Sequence, residues 1–196
     1  MSTGMASCDE INDAVINAKE NGCDELLLFH CISSYPTPVE ESRLNNLIYL
    51  RDKFNLEIGL SDHTIGNATA IASVALGASI IEKHVTLDRN GGGPDDSFSL
   101  ESEELIQLCV WAKTAWESIG QVDYGRKSSE QANVKFRRSL YFVKDIKEGE
   151  VITSEHVKSI RPGYGLAPKF YEQILGKTVK LDVVRGTPVT EAMYGI

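Results

Sequence analysis

No run in the chain stays apolar for the roughly 20 residues that a membrane-spanning helix requires. The opening Met1-Ser2-Thr3-Gly4-Met5-Ala6 has neither the basic start nor the apolar stretch of a secretory signal. The expectation is a cytoplasmic protein. Cysteine is scarce: Cys8, Cys23, Cys31 and Cys109 form no Cys-x-x-Cys pair, so neither a disulfide framework nor a redox dithiol is indicated. They read as reduced, mostly buried thiols. Cys31, at a strand end, is a candidate nucleophile without an activating neighbour in sequence. Positive charge is also in deficit, with 20 Lys and Arg against 28 Asp and Glu and a net charge of -8. That balance argues against non-specific binding to nucleic acid or anionic membranes, and leaves room for a local cationic pocket that takes a small anion.

What is present is an ordinary globular composition. The 196 residues are 42% hydrophobic and 24% charged, enough for one medium domain or a domain with a module. The centre of the chain is Gly59 to Asp95. Two short apolar strands, 57–60 and 78–81, each break off into a polar tip carrying a histidine, Ser61-Asp62-His63-Thr64 and Glu82-Lys83-His84. The Ala-rich stretch between them, Ala68 to Leu76, has helical spacing, with Gly77 placed to stop it. Parallel neighbouring strands lie about 4.8 Å apart and bring both tips to one carboxyl edge, where two neutral imidazoles can share a cation such as Mn, Fe, Co or Zn. A lone histidine is more often structural; equivalent placement on consecutive strands is the argument for ligation.

In chain order, Ser7-Cys8-Asp9-Glu10 reads as a capping box opening a helix to Asn21-Gly22. Leu26 to Phe29 suits a strand buried on both faces, and a second helix is expected from about Val39 to Phe54. A further helix spans about Glu101 to Ile119. Helix and strand alternate as in a parallel α/β sheet. The stretch supplies only three strands in about 120 residues, whereas a closed eight-stranded barrel takes roughly 250, so the first strand lies at or near an open edge. Residues 121–137 read as a linker. From 138 the character changes: Ser139 to Val143 is a strand, and Pro168 to Leu175 has proline at a helix start and Gly176 at its end. Asp145-Ile146, Gly149 and Ile152-Thr153 recur as Asp182-Val183, Gly186 and Val189-Thr190, which suggests two strand-turn units related by a pseudo-two-fold. A module of under 60 residues is marginal by itself.

Several runs together resemble the sialic-acid synthase family: Ser2-Thr3-Gly4-Met5, His30-Cys31 with Ser34-Tyr35-Pro36, Gly59 to Thr64, Glu82-Lys83-His84, Gly93-Pro94-Asp95 and Ile160-Arg161-Pro162-Gly163. Asp96 to Leu100, Arg138 to Tyr141 and Arg161 to Lys177 look most like its pseudaminic acid branch. The resemblance covers the whole chain. It implies an α/β fold: the last three strands and helices of a (β/α)8 TIM barrel in residues 1–120, then a small SAF, or type III antifreeze-like, domain in 138–196. It also implies that four strands precede these in relatives, with a catalytic glutamate and the lysines that hold phosphoenolpyruvate.

The implied reaction joins an N-acetylated amino sugar to phosphoenolpyruvate, giving a nine-carbon acid. His63 and His84 match the ligands of a divalent metal ion, Mn2+ or Mg2+, and Glu82 the proton-handling carboxylate. Ser2, Ser33 and Ser61 match phosphate contacts, and Tyr35 and Asp95 sugar contacts. The SAF domain is swapped across a homodimer in the family, and Arg161 matches the arginine that reaches the partner's site to meet an N-acetyl group. Alternative readings remain: a neuraminate or legionaminate synthase, a non-catalytic binding or assembly fragment, or a two-histidine metalloenzyme of unrelated chemistry.

Overall fold

Helix α1 (Cys8–Glu20) begins where the sequence signals it. The Ser7 hydroxyl accepts from the Glu10 amide at 3.3 Å and the Glu10 carboxylate accepts from the Ser7 amide at 2.7 Å, so each supplies a partner that the first helical turn lacks. The computed structural model describes residues 1–195. The chain divides into two units, Met1–Val122 and Asp123–Ile196.

In the first unit, β1 (Leu27–Cys31), α2 (Asn45–Phe54), β2 (Glu57–Asp62), α3 (Ala68–Ala75), β3 (Ile80–Lys83) and α4 (Ser102–Ile119) follow α1. The strands form one parallel sheet in the order β1-β2-β3. Alternation sends Leu28, Ile58 and Leu60 to the helices, where they join Ile11, Val15, Leu47 and Leu50 in a buried core. Ala70, Leu100 and Leu108 make a second cluster, with Ile81 packed on it. On the other face the Phe29 ring lies across Gly59, where a Cβ would come within 2.6 Å of it.

Local expectations are corrected in four places. Leu27 and Phe29 are only half-buried, so β1 is not buried on both faces; the helices cover just the face bearing Leu28. Its outer edge is not bare, because the Phe29 amide donates to the Met1 carbonyl at 2.8 Å and the Thr3 amide to the Phe29 carbonyl at 3.0 Å. The expected 39–54 helix is split into a 3-10 turn, Val39–Glu41, and α2, because Arg43 takes a left-handed φ of 42°. Of the thiols only Cys31 is buried; Cys8 and Cys23 are half-buried, and Cys109 on α4 is exposed.

In the second unit, β4 (Ser139–Phe142) pairs antiparallel with β5 (Val157–Ile160), and α5 (Tyr171–Ile174) follows a 3-10 turn at Pro168. The expected linker is partly ordered, with a 3-10 segment over Ser128–Phe136. The internal repeat is visible as exchanged hydrogen bonds. The Ile146 and Val183 amides each donate to the other's carbonyl at 2.9 Å. Asp145 accepts from the Arg185 amide at 2.7 Å, as Asp182 accepts from the Glu148 amide at 2.9 Å. Gly149 donates to Val179 and Gly186 to Phe142, and both glycines hold φ near +90°, which only glycine adopts without strain. Leu140, Phe142, Ile146, Ile152, Val157, Ile174, Val179, Val183 and Val189 fill the core between the two halves.

Candidate active site

Register sets the geometry. Ser61 stands opposite Glu82 and Asp62 opposite Lys83, so the next residues, His63 and His84, leave adjacent strands at the same carboxyl edge. Their ring centroids are 5.1 Å apart with planes at 72°. Two imidazoles that bind one ion through nitrogens at about 2.1 Å hold their centroids roughly 4.5–5.5 Å apart, so the spacing fits a shared cation. The protonation pattern fits as well. His63 Nδ1 is 2.9 Å from the Ile32 carbonyl, which can only accept, so Nδ1 carries the proton and Nε2 keeps its lone pair. His84 Nδ1 faces Asp95 Oδ2 at 3.4 Å, and the carboxylate favours the same tautomer. Among the described residues, no group of three or more His, Cys, Asp or Glu is placed to hold a metal. A cation here would have two protein ligands and several open positions.

Alternation places Ser61 and Glu82 on the histidine face, and Ser61 Oγ donates to Glu82 Oε1 at 2.7 Å. Asp62 and Lys83 turn the other way. Lys83 Nζ lies 2.8 Å from Asp62 Oδ2, with side chains only 3% and 1% exposed, so Lys83 does not pair with Glu82. The ammonium also donates to the Thr64 carbonyl at 2.6 Å, and Asp62 Oδ1 accepts from the Thr64 amide at 2.9 Å. This pair ties the β2 and β3 tips together behind the two imidazoles. The His63 carbonyl accepts from Thr37 and the His84 carbonyl from Leu100, so each histidine is also held through its backbone.

Around the imidazoles, the exposed Tyr35 ring lies 4.3 Å from His63 and 5.9 Å from His84, and Phe98 lies 5.2 Å from His84. Asp95 follows the Gly91–Pro94 turn and is half exposed, at 51%. Ser33 follows β1, and a Cβ at Gly4 would come within 2.2 Å of Ser33 Oγ, so a side chain there would have to displace that hydroxyl. Ser2 bridges to Phe29 on the β1 edge, with its hydroxyl 3.5 Å from the Gly4 amide. Thus Ser2, Ser33, Tyr35, Ser61, His63, Glu82, His84 and Asp95 lie on the first unit. Arg161 belongs to the second, exposed just past β5. Sequence reasoning missed Phe98 and the Asp62–Lys83 pair. Both charges stand in the polar strand tips, but the sequence does not say which of the adjacent charges turns away from the histidines.

The NeuB family profile matches residues 1–124 and the SAF domain profile residues 137–194. Pseudaminic acid synthase of Campylobacter jejuni strain 81-176 is 38% identical over 99% of the chain and 57% of that protein. N,N'-diacetyllegionaminic acid synthase of Campylobacter jejuni is 41% identical over 90% of the chain and 54% of that protein. The crystal structure of N-acetylneuraminic acid synthetase from Leptospira borgpetersenii aligns with a TM-score of 0.60 at 36% identity, over 68% of this chain and 46% of that one. Spore coat polysaccharide biosynthesis protein SpsE of Bacillus subtilis aligns over 100% of the chain and 60% of its own, with a TM-score of 0.57 at 27% identity. The chain therefore spans a little over half the length of the curated relatives it matches. On these matches the chain belongs to the NeuB family of nonulosonic acid synthases and ends in a SAF domain.

Proposed function

We propose that these residues form the carboxyl-terminal part of a pseudaminic acid synthase that condenses phosphoenolpyruvate with an N-acetylated amino sugar. In this reading residues 1–120 contribute the last three strands of a (β/α)8 barrel, residues 138–196 the SAF domain, and the active enzyme is a domain-swapped homodimer in the cytoplasm. The observation that carries it is the His63–His84 pair, 5.1 Å apart and flanked by Glu82 and Tyr35.

The open-chain sugar presents an aldehyde, and carbon 3 of phosphoenolpyruvate attacks it while water adds at carbon 2. His63 and His84 would hold Mn2+ or Mg2+, which when bound would supply Lewis-acid polarisation of that aldehyde. Glu82 holds or moves the proton, its carboxylate oriented by the Ser61 hydroxyl. Ser2, Ser33 and Ser61 bind phosphate oxygens, and Tyr35 and Asp95 position the sugar chain. Asp95 also steadies the His84 ring. Arg161 reads the N-acetyl group from the partner's SAF domain.

In full-length protein supplied with Mn2+ or Mg2+, phosphate release from phosphoenolpyruvate should require a suitable hexosamine, and His63→Ala and His84→Ala should each abolish it with the fold intact. Release without any sugar dependence, or full activity in either variant, overturns the reading. A legionaminate synthase is the second reading, favoured by the 41% identity to the Campylobacter jejuni enzyme. A panel of N-acetylated hexosamines separates the two. The 196 residues alone should show no turnover.

A further inference from the structure

Beside the tip of β2, His30, Thr37, Ser42, Asp62, Thr64 and Thr69, all buried, help to wall a cavity of about 10 Å3. That is at the threshold for one water molecule, which needs roughly 10–15 Å3. Among the described residues, three buried side-chain atoms have no hydrogen-bond partner in the protein: Ser42 Oγ, Thr64 Oγ1 and Asn67 Oδ1. Two of the three belong to residues of this wall, which are only 6% and 1% exposed. A buried hydroxyl without a partner is costly, and folded proteins meet the need with a neighbouring group or an ordered water. The nearby His30 Nε2 does not meet it, because that nitrogen donates to the Ser42 carbonyl at 2.7 Å.

We propose that this cavity is a binding site for a single resident water that bridges Ser42 Oγ and Thr64 Oγ1. The chemistry of the wall selects water over a cation. Asp62 Oδ1 is taken by the Thr64 amide at 2.9 Å and Oδ2 by the Lys83 ammonium at 2.8 Å, so the wall offers a cation no free carboxylate. Hydroxyls both donate and accept, as water does. Ser42 closes the 3-10 turn before α2, and Thr64 is the residue after His63. The water therefore adds a second tether between the segment after β1 and the tip of β2, beside the bond from the Thr37 amide to the His63 carbonyl at 2.9 Å. The bridge uses no residue of the proposed synthase chemistry, so it stands or falls apart from that reading.

The test has two arms, both in full-length protein. A high-resolution crystal structure should show a density peak about 2.5–3.0 Å from both hydroxyl oxygens, lost in the Ser42→Ala, Thr64→Val double variant. A peak with about six oxygen neighbours is a cation and overturns the proposal, as does the lack of any peak. The second arm measures the urea midpoint at which buried Cys31 opens to a thiol reagent, read on its peptide by mass spectrometry. Thr64→Val keeps the side-chain shape and removes the hydroxyl. With the bridge present, Thr64→Val and Ser42→Ala each leave the water and the other hydroxyl short of a partner, so each should lower the midpoint. The double variant should fall no further than the worse single one, because one bridge is lost once. In a dry cavity, removing an unpartnered hydroxyl relieves the fold and the midpoint rises. A midpoint raised or unchanged in either single variant, or additive losses in the double, overturns the proposal.

Discussion

At the scale of single residues, the candidate site rests on a contrast between two faces of the same strand ends. His63, itself buried, and the partly exposed His84 lie on the face that carries Ser61 and Glu82; Asp62 and Lys83, one position earlier, turn to the opposite face and pair there. A buried pair whose remaining donors and acceptors are met stabilises little by itself, but losing one partner leaves an uncompensated charge. Lys83→Met and Asp62→Leu should therefore each cost about 3–5 kcal/mol in the full-length protein, and the double variant less than either, by denaturant titration. Additive losses would show the two charges to be independent. The histidine pair was legible in sequence because strand register can be read from matching tips. Asp62–Lys83 was not, because which of two adjacent charges turns inward depends on the exact strand end, and β3 begins two residues later than the apolar run suggests.

His30 gives the residue scale its pH dependence. It is buried on the helix side of β1, its Nε2 2.7 Å from the Ser42 carbonyl, and burial pulls its pKa below 6.5, with that hydrogen bond opposing. The folded state thus resists protonation that the unfolded state accepts. The native protein should lose stability as pH falls below 6.5, until the folded value is passed, and His30 should contribute no slope well above pH 6.5. His30→Gln should flatten this part of the stability profile. An unchanged acid limb would assign it to other groups.

At the scale of elements, helix starts were the most legible feature, since Ser7-Cys8-Asp9-Glu10 carries its own cap and folds as it reads. Strand ends were less so. β1 and β2 run two residues beyond their apolar cores, through His30-Cys31 and Ser61-Asp62, because parallel pairing holds backbone that side-chain hydropathy marks as loop. Gly59 shows how closely the sheet is fitted: its missing side chain is where the Phe29 ring lies. Gly59→Ala should cost on the order of 1–3 kcal/mol by overpacking, and Phe29→Leu in the same chain should recover part of that loss. The measurement is the shift in denaturation midpoint. Equal losses with and without Phe29→Leu would place the strain elsewhere.

At the scale of the whole molecule, the two units differ in how complete each is by itself. The first is a three-stranded parallel sheet with helices on one face, a layout that in its family spans longer chains. The second closes on itself. Its faint repeat was legible as a recurring Asp, Gly and β-branched spacing, but the sequence did not show that each half's aspartate caps a turn of the other half. That exchange makes the halves interdependent, and it surrounds a core of nine buried side chains. Residues 123–196 should therefore fold alone, with the modest stability of a small domain, and melt in one cooperative transition. Asp145→Ala and Asp182→Ala remove matching turn caps, each worth about 1 kcal/mol, so both should lower the melting temperature, Asp182→Ala somewhat more because it also breaks the exposed pair with Lys147. A non-cooperative melt, or a loss confined to one of the two variants, would mean that the halves do not stabilise each other as the exchanged hydrogen bonds require.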